Sequence, residues 1–134
     1  MISIDEARQR VAENFLALAQ RDAAAMRTLS RATDLDFPPI GFHAQQCIEK
    51  CLKGVMAKVG ITYPRTHDLS ELHQLLTAAG HSLPMGVAAL SNFTPYAVTT
   101  RYDIDQEDLI DRVQSETAVA LMLAWASSTI NHPN

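Results

Sequence analysis

Apolar residues recur along this chain three and four positions apart, and no segment alternates as a strand would. Ile4, Ala7, Val11, Phe15 and Leu18 predict a helix over about 4–20. Ala25, Met26 and Leu29 predict a second over about 22–34, or a continuation of the first, since no Pro or Gly separates the two. The run DFPPIGF, residues 36–42, interrupts the pattern, because its prolines lack amide donors and turn the residue before each away from helix. Ala44, Ile48, Cys51, Leu52, Val55, Met56 and Val59 then predict a third helix over about 41–59. Gly60 ends it, since glycine tolerates the left-handed backbone of a helix stop. A fourth helix is expected from Asp68, where Asp68 and Glu71 form a D-x-x-E capping box, to Gly80, with Leu69, Leu72, Leu75, Leu76 and Ala79 on its apolar side. Pro84 and Pro95 bracket a short helix over about 86–93, followed by an irregular passage to 105. The last helix, about 106–130, opens with acidic residues that suit its positive end. Its run AVALMLAWA, residues 118–126, is apolar nearly all round, as in a helix buried centrally or at a subunit interface.

With no repeat, low-complexity tract or linker, residues 1–134 read as one all-α domain, an up-and-down bundle of four to six helices. An apolar fraction of 47% over 134 residues is enough for one core. The formal charge of -4 excludes the basic footprint of non-specific nucleic-acid binding and leaves room only for a local basic groove. Cys47 and Cys51 stand four apart on one predicted helix, a spacing that suits neighbouring side chains rather than a disulfide framework. The opening MISIDEARQR carries charges where a signal peptide is apolar, and the 118–126 run is far shorter than the roughly 20 residues of a bilayer span. A cytoplasmic protein with reduced thiols and no membrane contact is expected.

Composition leaves function open; three polar clusters narrow it. On the third helix His43, Gln46, Glu49, Lys50 and Lys53 share an arc opposite the apolar face. The set holds an acceptor, two ammonium groups, an amide and an imidazole, which together suit a phosphate and a base or sugar. Equally, every amphipathic helix has a wet face, and Glu49 with Lys53 is an ordinary i,i+4 pair. The turn Tyr63-Pro64-Arg65-Thr66-His67-Asp68 leads into a helix N-terminus, where free amides favour anions, although Thr66 and Asp68 also suit plain capping. Arg101-Tyr102 follows an apolar, threonine-rich passage and offers either a phosphate partner or a structural tie.

Taken together, FHAQQCIEKCLKGVMAKVGITYPRTHDLSELHQLL, residues 42–76, with the later Arg101-Tyr102, resembles the HEPN domain family (higher eukaryotes and prokaryotes nucleotide-binding). The family pattern F-x-A-Q-Q-x-x-E-K-x-L-K, a Gly, a T-H-D-L helix start and an R-Y falls here on Phe42, Ala44, Gln45, Gln46, Glu49, Lys50, Leu52, Lys53, Gly60, Thr66, His67, Asp68, Leu69, Arg101 and Tyr102. The resemblance implies a helical bundle, commonly a homodimer, with a role in nucleotide or RNA biology. It also implies a nucleotidyltransferase partner in a two-component, toxin–antitoxin-like system. His43, Gln46, Glu49, Lys50, Lys53, Thr66, His67, Asp68, Arg101 and Tyr102 are then the expected ligand-binding residues. Lys50, Lys53 and Arg101 would take phosphate, Gln46 and His67 would make polar contacts, and Glu49 and Asp68 would orient the cations. A tie through Glu49–Arg101 or Lys50–Asp68 is the structural alternative.

Ribonuclease members of that family carry an R-x4-6-H motif. No arginine of this chain has a histidine at that spacing: Arg65 is followed by His67 and His73, and Arg112 only by His132. General acid–base cleavage needs a group that moves protons near neutrality, so no catalytic residue is assigned. An atypical metal-independent ribonuclease toxin using His67 or His43, and a purely structural dimeric adaptor docking through the helix around Trp125, are the two competing readings. His43, Cys47 and Cys51 lie on neighbouring helical turns, but no second Cys/His cluster completes a metal site, and no Gly-rich phosphate loop is present. No metal and no cofactor are expected.

Overall fold

The computed structural model describes residues 1–98, 108 and 110–133. Helix α1 spans Ile4–Ser30, α2 Phe37–Val59, α3 Leu69–Ala78, α4 Val87–Ser91 and α5 Arg112–Asn131, with a 3₁₀ turn at Thr94–Ala97. No strand occurs among the described residues. The short 31–36 connection makes α1 and α2 antiparallel neighbours. Helix α5 packs on both, while α3, α4 and the 3₁₀ turn form a smaller layer, α3 and the 3₁₀ turn lying against α2 and α4 between them. This is the all-α bundle the periodicity implies.

Two helix starts differ from the periodic pattern, each for a local reason, and the apolar pattern of residues 4–34 belongs to one helix. Helix α1 is continuous through residues 20–22, because nothing in ALAQRDAAAM breaks it. Helix α2 begins at Phe37, earlier than the prolines imply. Pro38 and Pro39 occupy its first turn, where backbone amides lack intrahelical partners in any case. Helix α5 begins at Arg112, behind an N-cap at Asp111. Asp111 accepts from the Gln114 amide, and the Gln114 side chain accepts from the Asp111 amide, a D-x-x-Q capping box. The α3 cap also departs from the D-x-x-E reading, because Asp68 accepts from the Ser70 amide at 3.0 Å and from the Ser70 hydroxyl at 2.7 Å.

One core runs through the molecule. Ala12, Ala19 and Ala23 bring α1 close to α2, and Leu16 and Met26 complete that face. Ile48, Leu52, Val55 and Met56 of α2 meet Val119, Met122, Ala126 and Ile130 of α5 in the same core. Leu69, Leu72, Leu76, Leu90, Phe93 and Tyr96 close the side layer. Glycine is required at Gly60 and at Gly41 for different reasons. Gly60 takes φ 80° at the α2 stop, under the Arg8 guanidinium. A Cβ at Gly41 would lie 2.6 Å from the buried Tyr96 ring.

Arg112 ties the last helix to the end of the first. Its guanidinium donates to the carbonyls of Ser30, the last residue of α1, at 2.6 Å and of Ala32 at 2.9 Å and Leu35 at 2.6 Å in the connection to α2. Replacing Arg112 with Ala is expected to lower stability by about 2–4 kcal/mol, measured by urea unfolding. Arg112→Lys should recover only part of that, since one ammonium cannot reach all three carbonyls in a planar fork.

Candidate functional site

Helix geometry places His43, Gln46, Lys50 and Lys53 along one ridge of α2, and two carboxylates hold that ridge from either side. Asp22, from α1, is nearly buried. It is hydrogen-bonded to His43 Nδ1 at 2.9 Å through Oδ1, and its Oδ2 accepts from the Lys50 ammonium. Glu49, 5% exposed, lies toward α3. Its Oε1 bonds Gln45 Nε2 at 3.0 Å and His67 Nδ1 at 2.8 Å, and its Oε2 accepts from Lys53 Nζ at 3.1 Å. Gln45, fully buried, also reaches the His67 carbonyl, at 3.4 Å, and its own carbonyl oxygen accepts from Gln46 Nε2 at 2.7 Å. A buried amide is thereby satisfied on both ends.

An ionised carboxylate only accepts, so Nδ1 of His43 donates to Asp22 and Nδ1 of His67 donates to Glu49, which leaves the Nε2 edge of each ring facing elsewhere. The His67 side chain is 64% exposed, so its Nε2 edge is open to solvent. Thr66 turns its hydroxyl to the Asp68 amide at 3.1 Å, and Asp68 caps α3. Those two residues therefore shape the turn that presents the His67 ring. Burial pushes the Glu49 carboxyl up, but hydrogen bonds from His67, Gln45 and Lys53, with the charge of Lys53, outweigh it and hold the group below its ordinary value.

Of the residues expected from the sequence, the structure brings His43, Gln46, Glu49, Lys50, Lys53, Thr66, His67 and Asp68 together on one side of the bundle. Arg101 and Tyr102 lie outside the described residues, and with them the Glu49–Arg101 tie. Lys50 pairs with Asp22 rather than with Asp68. Two members of the network were missing from the expected site. Asp22 is the lone acid beside the apolar stripe Ala12, Leu16, Ala19, Ala23 and Met26, which is its only signal in the sequence. Gln45 stands four before Glu49, a spacing that pairs their side chains on one helix face.

The cysteines belong to the core. Both are fully buried; a hydrogen bond to Cys47, reinforced by burial, pushes the Cys51 thiol well above its ordinary value, so it is held as a thiol. His43 meanwhile is turned to Asp22. Among the described residues no group of three His, Cys, Asp or Glu side chains is placed to hold a metal ion, and no helix is long and apolar enough to cross a membrane.

Fold and site together define a small helical bundle whose polar ridge is locked by two inward carboxylates. The family model for the HEPN domain matches residues 10–124, and the chain belongs to that family, whose role is nucleotide- or RNA-related in general terms. No curated protein and no solved structure matches the chain.

A carboxyl held below its ordinary value stabilises the folded state at every pH above the unfolded range, about 4.3 for Glu, and ceases to do so as pH falls through its folded value. Wild-type protein is therefore expected to lose stability as the pH drops below that range. Glu49→Gln, less stable near neutrality, should show a shallower acid slope in urea midpoints taken across the same range. Parallel slopes would mean that Glu49 is not held this way.

Proposed function

We propose that the ridge of α2 and the turn before α3 bind the phosphate of a nucleotide or RNA, in a dimeric HEPN module that acts as accessory partner of a nucleotidyltransferase in a two-component, toxin–antitoxin-like system. The observation that carries this is His67: an exposed ring, fixed by a buried carboxylate, beside Lys53 and next to the start of α3. Holding an imidazole in one orientation on a buried acid orders a surface group that would otherwise be free to rotate. Such ordering favours a binding partner that needs it.

Lys53 and Lys50 each donate one hydrogen bond to a carboxylate, and an ammonium has three N–H donors, so donors remain for a phosphate oxygen. Gln46 and His43 extend the polar line along the ridge, with Thr66 and Asp68 at its far end. Arg101 and Tyr102 complete the proposed set. Family membership supports the nucleotide or RNA ligand, and HEPN domains commonly dimerise, which supports the homodimer.

One observation favours a structural reading of the same residues: both lysines are charge-compensated by acids in the bundle, and Lys53 is only 12% exposed. Thermal shift separates the two. A ligand at about ten times its Kd adds roughly 1.4 kcal/mol to the folded state. ATP, GTP or a short single-stranded RNA is expected to raise the melting temperature of wild type and not of His67→Ala, whose exposed ring contributes little packing. No shift with any of them, together with a lower melting temperature for Lys53→Ala, would support the structural reading. Cleavage of the RNA during incubation, abolished in His67→Ala, would replace the binding role by a ribonuclease one.

A further inference from the structure

His67 has a property that holding a phosphate does not use. Its Nδ1 is fixed on Glu49 Oε1 at 2.8 Å, while its side chain, 64% exposed, turns the Nε2 edge to solvent. In the uncharged ring, donation from Nδ1 leaves the lone pair on Nε2, so the nucleophilic nitrogen is the accessible one. A carboxylate on the opposite nitrogen also stabilises the positive charge that an imidazole acquires when Nε2 forms a bond. Glu49 suits that role, because it is buried and His67, Gln45 and Lys53 hold its carboxyl below the ordinary value. Lys53, at 3.1 Å on the other oxygen of the same carboxylate, offsets a charge that would otherwise repel an incoming phosphoryl anion.

The other histidines lack this combination. His43 also has an acid on Nδ1, Asp22 at 2.9 Å, but its side chain is only 30% exposed, and its ring packs edge-on against Phe42 with centroids 5.1 Å apart. His73 directs Nε2 to the Met85 carbonyl at 3.1 Å, and Nδ1 of His132 faces the Pro133 carbonyl at 2.8 Å. His81 meets no carboxylate among the described residues.

From this geometry we infer that His67 is a phosphoryl acceptor, whose Nε2 takes the terminal phosphoryl group of a phosphoanhydride or an acyl phosphate. The Nε2 lone pair forms the nitrogen–phosphorus bond. The bond from phosphorus to the bridging oxygen breaks, and its electron pair leaves with the nucleoside diphosphate or the carboxylate. No proton has to move, since Nδ1–H stays on Glu49, which faces the resulting imidazolium. Transfer of this kind depends on positioning and charge, and the Glu49–Lys53 pair supplies both. The inference rests on the phosphate reading proposed above and adds that the bound group is transferred.

The test is the intact mass of the full chain after incubation with acetyl phosphate and, separately, with ATP and magnesium; the donor that labels identifies the source of the group. Wild type is expected to gain one phosphoryl group, lost in mild acid and kept in alkali as a phosphorus–nitrogen bond is, and fragment masses should place it on His67. His67→Gln should gain none, with unchanged helical circular dichroism. His81→Ala and His132→Ala should be labelled as wild type is. Glu49→Gln should lower the maximal labelling rate by about a hundredfold, with little change in the donor concentration that gives half that rate. No labelling by either donor overturns the inference. So does a group placed on His43 or any other residue, a nucleotidyl in place of a phosphoryl mass, or equal rates in wild type and Glu49→Gln. A thermal shift with ATP but no labelling overturns the transfer alone and leaves the phosphate reading in place, whereas neither labelling nor a shift with any ligand named above overturns both.

Discussion

Two carboxylates turned inward, Asp22 and Glu49, determine how the polar side of this bundle is built. Removing an ionised carboxyl from water costs several kcal/mol unless hydrogen bonds and opposite charge replace the lost hydration. Asp22 receives an imidazole and an ammonium; Glu49 receives an imidazole, an ammonium and a buried amide. Each acid thus holds one histidine and one lysine, and each joins two segments far apart in sequence: α1 to α2 through Asp22, α2 to the start of α3 through Glu49. Apolar residues of similar size would bury at lower cost, so stability alone does not account for the arrangement. What the acids add is orientation, because they fix two imidazoles and two ammonium groups along one ridge.

That orientation links fold to function. The α1–α2 core sets the distance at which Asp22 can meet His43 and Lys50, and the Thr66–Asp68 turn with its α3 cap sets where His67 meets Glu49.

Much of the bundle is legible in the sequence because helical periodicity is a local property. The core stripes of α2 and α3 and the Gly60 stop follow from spacing alone, whereas on α1 the recurring Ile4, Val11 and Leu18 are exposed and the buried stripe is Ala12, Leu16, Ala19, Ala23 and Met26, small residues that let α2 approach closely. The starts of α2 and α5 do not, since prolines in a first turn and an Asp111–Gln114 cap read as breaks or as solvated polar residues until the helix is in place. The site is half legible for the same reason. His43, Gln46, Lys50 and Lys53 stand out as one arc, and T-H-D marks the next helix. Asp22 does not, because its partners are 21 and 28 residues away and their meeting depends on how two helices pack. Counting residues around α2 also puts Glu49 on the wet side; it is buried because the turn carrying His67 lies against it.

The claim that buried acids orient the surface imidazoles is tested most directly by the nitrogen chemical shifts of the histidine rings, from long-range proton–nitrogen NMR near neutral pH. The account requires the Nδ1–H tautomer for His67, with Nε2 unprotonated in the neutral ring, and a switch toward the Nε2–H form common in free histidine when Glu49 is replaced by Ala. A His67 ring already in the Nε2–H form in the wild-type protein would contradict it.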